Sequence, residues 1–155
     1  MNLSLIEHLI DVKQRALHKG EELVRITESI ESFHQSLDKF MEYLTECERY
    51  LNHQKPVERH CRFYQRLLKQ IDEHQAFEKQ CDIYQEHWTN LNQSILHLNG
   101  ILSKKEALHL RNSFVSIRKR WENILMRTHQ RRKDLERVKQ VIETIVFNII
   151  SLLYY

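Results

Sequence analysis

The residues of this chain most able to do chemistry are its ten histidines and three cysteines, Cys47, Cys61 and Cys81. Structural zinc sites use thiolates and imidazoles at short spacing, as Cys-x-x-Cys or His-x-x-x-His, and neither spacing occurs here. His53, His60 and Cys61 lie close together, but Pro56 falls between them and breaks any helix that would align them. Glu-x-x-His occurs at Glu31/His34 and at Glu106/His109. A di-iron bundle needs both pairs turned inward, with a further Glu from each of two other helices. All four residues fall off the apolar seams described below, so they read as solvated helix faces. His74 stands one heptad before Cys81 and reads as a polar residue in a helical core. The odd cysteine count, without framework spacing, reads as reduced thiols. There is no Gly-rich phosphate loop and no Ser/His/Asp or Cys/His set with a loop to carry it. Neither catalysis nor a cofactor or metal is expected.

Two basic clusters, Arg118-Lys119-Arg120 and Arg131-Arg132-Lys133, suit an acidic partner such as actin or anionic lipid. The plainer reading is the outer face of a helix set against acidic neighbours. The net charge of +3 is too small to point to nucleic acid, and aromatic residues for base stacking are missing around the clusters except for Trp121. No nucleic-acid partner is expected.

The elements that position these residues follow from composition and period. With 2 Gly and 1 Pro in 155 residues, the chain cannot make the many tight turns of a β-rich fold. Its apolar residues instead repeat at alternating steps of four and three. Ile26, Ile30, Phe33, Leu37, Phe40, Leu44, Cys47 and Leu51 form one such seam, ending near Asn52–Pro56. A second runs Val57, Cys61, Tyr64, Leu68, Ile71, takes two three-residue steps through His74 to Phe77, and resumes as Cys81, Tyr84, Trp88, Leu91, Ile95, Leu98. The paired three-residue steps predict a local overwinding. Asn99–Gly100 ends this helix, with Gly expected to supply a left-handed terminal residue. Ser103 and Glu106 form a capping-box pattern for the next helix. The third seam runs Ala107, Leu110, Phe114, Ile117, Trp121, Ile124, Thr128, Arg131, Leu135, Val138 and on through Ile142, Ile145, Ile149 and Leu152. Leu5, Leu9, Val12 and Ala16 carry a seam that meets Ile26 in register, weakened near Gly20.

Three seams joined by short connections predict an all-α fold, a left-handed antiparallel three-helix coiled-coil bundle with helical extensions at both ends. The bundled parts are expected at about 22–52, 57–98 and 104–140. The expected core includes Phe33, Leu37, Tyr43, Leu44, His74, Phe77, Trp88, Phe114, Trp121 and Leu135. Residues 21–51 hold eight acids against three bases, and 104–139 hold twelve bases against four acids. The first and third helices are therefore expected side by side, although exposed pairs contribute only about 0–1 kcal/mol each.

At this level the chain resembles the spectrin repeat family. His74-Gln-Ala-Phe-Glu78 resembles the second helix of such repeats. Phe33, Leu37, Phe40 and Tyr43-Leu44 resemble the first, in which the Tyr43 position is usually Trp. Trp121, Leu125 and Leu135 resemble the third, and Gly100 with Leu102 the end of the second. The match covers about 22–140, and the texture is more similar to the nesprin, dystrophin and plakin groups than to spectrin itself. The resemblance implies a structural spacer or docking repeat whose partners are cytoskeletal or scaffold proteins and neighbouring repeats. It also implies a cytoplasmic, cytoskeleton-associated location, at the outer nuclear membrane or cell cortex through a longer parent chain. Residues 1–21 resemble the tail of a preceding repeat's third helix.

Residues 141–155 are the least explained. They fit the start of a following repeat, a non-homologous tail, or a membrane contact through 144–155. That stretch, about 12 residues, is shorter than the roughly 20 needed to span a bilayer. Each reading leaves an apolar patch, a liability toward weak self-association. Met1 to Ile10 has no basic n-region and reads as no secretory signal.

Overall fold

A computed structural model of the protein describes residues 3–155. Three helices account for nearly all of them: α1 (Leu3–Asn52), α2 (Tyr64–Asn99) and α3 (Lys104–Tyr154). They form the expected three-helix bundle. α2 runs antiparallel to both neighbours, as the pairings Phe40–Trp88, Tyr43–Tyr84 and Tyr50–Phe77 show. α1 and α3 run parallel to each other, pairing Phe33 with Phe114 and Phe40 with Trp121.

The heptad pattern explains which residues are inside. Along α1 the buried positions are Phe33, Leu37, Phe40, Tyr43, Leu44, Cys47 and Leu51. Along α3 they are Phe114, Ile117, Trp121, Ile124, Thr128, Leu135, Val138 and Ile142. Excluding these side chains from water is the dominant force holding the helices together, at about 1.5–3 kcal/mol for each large one fully buried. α1 passes unbroken through Gly20, around which there is open space.

Three local expectations are corrected. α2 begins at Tyr64, not near 57; residues 61–63 form a single 3-10 turn, capped by the His60 ring accepting from the Arg62 amide. The preceding connection is held by Gln70, whose side-chain amide donates to the Pro56 carbonyl at 3.0 Å and accepts from the Glu58 amide at 2.9 Å. Cys61 is consequently exposed and lies off the seam. Second, Leu67 rather than Leu68 is fully buried, so Leu67, His74, Cys81, Trp88 and Ile95 recur every seven residues and no overwound step is needed. Third, Gly100 has φ −77° and is right-handed. The helix ends by tightening instead, with the Ile101 and Leu102 amides both donating to the Leu98 carbonyl at 2.9 and 3.0 Å. The Ser103–Glu106 capping box starts α3 as its sequence requires.

α1 has 50 residues and α3 has 51, against 36 for α2. At about 1.5 Å per residue, α2 spans on the order of 54 Å, and both partners overshoot it. α1 projects at the end holding the α2–α3 connection, and α3 at the opposite end. Leu3 through Val24 expose their apolar residues, and so does α3 beyond Ile142.

Candidate functional site

The centre of the bundle is an aromatic layer built from all three helices. Trp121 is 1% exposed, meets the Phe40 ring edge-on at 5.5 Å, and donates its indole N–H to Gln85 Oε1 at 2.9 Å. Trp88 stacks between Phe40 and Phe114, at 5.4 and 4.7 Å. Tyr43 lies flat on Tyr84 and donates its hydroxyl to Cys81 Sγ at 3.6 Å. A buried phenol needs such an acceptor, and this one lets tyrosine stand where the family's pattern has tryptophan. Burial pushes the Tyr43 hydroxyl well above its usual pKa, so it stays protonated. The Cys47 thiol, hydrogen-bonded to Cys81 and buried, is pushed up too. Cys47 is therefore held as a thiol, whereas its hydrogen bond to Cys81 shifts the Cys81 thiol the opposite way, downward, against the penalty of burial.

His74 is buried in the next layer toward the 53–63 connection. Its Nε2–H donates to the Thr128 carbonyl at 2.8 Å, while Nδ1 has no partner among the described residues. Burial lowers its pKa, with the Thr128 hydrogen bond and Glu78 opposing that shift. Of the ten expected core residues, nine are buried and Phe77 is half-buried against the same cluster. Leu67, Gln85 and Gln70 are the structural residues that seam reading missed. Extending the His74–Cys81 spacing back by seven locates Leu67; nothing local marks the two glutamines.

The six basic residues do not form one face. Heptad geometry sends them three ways. Arg120, on the side of α3 toward α1, makes a two-point contact with Glu48, both N···O distances being 2.9 Å. That contact holds the Glu48 carboxyl below its usual pKa. Arg132 turns toward α2 and pairs with Glu78 at 3.5 Å. Arg131 is itself a seam residue and is half-buried. Only Arg118, Lys119 and Lys133 point outward without an ion pair among the described residues. The acidic first helix and basic third helix therefore meet chiefly through Arg120–Glu48.

No group of three or more His, Cys, Asp or Glu residues among the described residues is placed to hold a metal. No described helix is long and apolar enough to cross a membrane.

A bundle of this topology, with two helices overshooting the third at opposite ends and tryptophans in its central layer, defines a class. The spectrin repeat family profile matches residues 28–137, and the chain belongs to that family. Individual relatives narrow the comparison. The chain is 26% identical over 131 residues to mouse microtubule-actin cross-linking factor 1, isoforms 6/7, covering 83% of this chain and 4% of that protein. It is 28% identical over 125 residues to the rat microtubule-actin cross-linking factor 1, covering 81% and 2%. Against human isoforms 6/7 it is 27% identical over 97 residues, covering 63% and 3%. The chain thus spans a few hundredths of the length of these relatives. Together they support a structural repeat of the kind found in cytoskeletal linkers, a family whose role is not catalysis.

Proposed function

We propose that this chain is a spacer and docking repeat of a cytoskeletal linker. Residues 22–140 form the repeat, 1–21 form the tail of a preceding repeat's third helix, and 141–155 form an extension toward a following segment. The observation that carries this reading is the overshoot: α1 and α3 continue past the bundle in opposite directions, so load entering at one end leaves at the other. In that geometry tension shears α1 against α3 along their whole contact, and many side-chain layers resist together. The outward residues Arg118, Lys119 and Lys133 suit an acidic protein surface such as an actin filament.

Optical-tweezer stretching between residues 3 and 155 tests the load-bearing role. Unfolding residues 28–137, 110 residues, should release on the order of 350 Å in one step, from about 3.6 Å per extended residue less the folded rod. Gradual extension without a step refutes the module. Co-sedimentation with F-actin, at low and physiological salt, tests docking.

A membrane contact is the second reading, favoured by the exposed, uncharged stretch from Ile145 to Tyr155. Flotation with phosphatidylserine vesicles that is lost on deleting 144–155 would support it.

A further inference from the structure

The largest oddity outside the aromatic core is a cation in the wrong place. Arg131 occupies a seam position, seven residues after buried Ile124 and seven before buried Val138. Its methylene stem fills the layer, but its Nε–H is buried and has no hydrogen-bond partner among the described residues. An unsatisfied buried donor is costly, and more so when it belongs to a charged group. Arg120, Arg132, Arg137 and Lys139 on the same helix all have carboxylate partners, whereas Arg131 has none among the described residues.

Arg131 opens onto a cavity of about 950 Å³ between the 53–63 connection, α2 and α3. Lys55 from the connection and Arg66 and Lys69 from α2 line the same space, with His53 at its edge. Two carboxylates also line it, and both are engaged. Glu58 accepts from the His60 amide at 3.3 Å, and Glu73 pairs with Lys69 at 3.8 Å. That leaves Lys55, Arg66 and Arg131 as cations without a carboxylate partner among the described residues; the Arg66 guanidinium lies over the Phe63 ring at 4.3 Å, a face-on contact that leaves its in-plane N–H groups for an anion. They come from three separate segments and share one cavity whose wall is fixed by the Gln70 contacts to Pro56 and Glu58.

We propose that this cavity is a binding site for a phosphate-bearing ligand, held by Arg131, Arg66 and Lys55. A phosphate ester carries about −1.5 to −2 charges at neutral pH and three acceptor oxygens, which matches three cations that lack a carboxylate better than a single carboxylate does. Binding would bring an anion to the Nη groups of Arg131, whose guanidinium has no carboxylate partner among the described residues. The same chemistry recognises a free phosphate and one borne by a protein partner, and the two are separated by competition with a phosphopeptide.

Isothermal titration with sodium pyrophosphate, against sodium chloride at equal ionic strength, tests the site on the full chain. Saturable binding is expected. Arg131→Leu restores an apolar seam, so it should melt at or above the parent temperature while weakening pyrophosphate about ten- to a hundredfold, the size of a lost charged hydrogen bond. Arg66→Gln, on an exposed side chain, should weaken it without changing the melt. Arg118→Gln lies outside the cavity and should leave binding unchanged. An alanine-flanked phosphoserine peptide that competes with pyrophosphate would mark a protein-borne phosphate. Pyrophosphate binding without peptide binding would mark a free one. Absence of saturable heat, affinity unchanged in both Arg131→Leu and Arg66→Gln, or an equal loss in Arg118→Gln would overturn the site.

Discussion

Replacing Trp121 with Ala removes the largest fully buried side chain of the bundle. The indole touches Phe40 and Tyr43 from α1 and Gln85 from α2, so the cavity left behind is walled by two other helices that cannot close on it independently. A Trp→Ala truncation of this kind costs about 3–5 kcal/mol. Gln85 is exposed and its amide can turn to water, so the lost indole hydrogen bond adds little. Domains of this size are stable by about 5–15 kcal/mol, so the variant loses a large fraction of the total. With a urea slope of about 2 kcal/mol/M, the midpoint should fall by about 2 M, followed by circular dichroism at 222 nm. Met126→Ala is the control: it lies on the same helix at 64% exposure and should shift stability by no more than about 0.5 kcal/mol. Equal midpoints for the two variants would mean that Trp121 does not organise the core.

His74 gives stability a pH dependence of predictable sign. Its pKa in the folded chain lies below the unfolded value near 6.5, so the unfolded state takes up protons first as pH falls. This contribution is full above about pH 6.5 and is lost as pH drops from there through the folded pKa; urea midpoints for His74→Gln should be flatter across that window than those of the parent. The Arg120–Glu48 contact, with each side chain 31% exposed, should show a coupling of about 1 kcal/mol in a double-mutant cycle with Arg120→Met and Glu48→Gln, shrinking in 1 M salt. Tyr43→Phe keeps the stacking on Tyr84 and loses only the hydroxyl contact to Cys81, so it should cost about 1 kcal/mol or less by the same urea assay; a loss rivalling Trp121→Ala would show that the hydroxyl organises the layer.

The seams of α1 and α3 were legible because each buries one stripe, and a stripe at alternating four and three spacing admits one reading. The start of α2 was not. Tyr64, Leu68 and Ile71 also keep that spacing, and Leu67-Leu68 are both apolar, so periodicity alone cannot choose the inward residue. Packing against Leu135, Val138 and Ile142 makes the choice. The 53–63 connection is pinned by a glutamine 14 residues beyond Pro56, a pairing with no local signature. The basic clusters were visible as composition, but their division between α1, α2 and solvent depends on helix rotation. Arg131 was legible as a member of the third seam and of a basic cluster. Its cavity was not, since Lys55, Arg66 and Arg131 are scattered along the chain and only the fold assembles them.

The parallel course of α1 and α3 has an electrical consequence. Each helix carries a macrodipole equivalent to about half a charge at each end, positive at its N-terminus. In a bundle of alternating direction with an even number of helices these cancel. Here two helices point one way and one the other, so the field of one helix survives, with its negative pole at the end holding the 53–63 connection. At that end Lys55 follows the C-terminus of α1, whose negative pole it complements, while Arg66 stands in the first turn of α2, at that helix's positive end. Repeats joined head to tail through continuous helices would add these moments along the rod, so such a filament would be electrically polar from end to end.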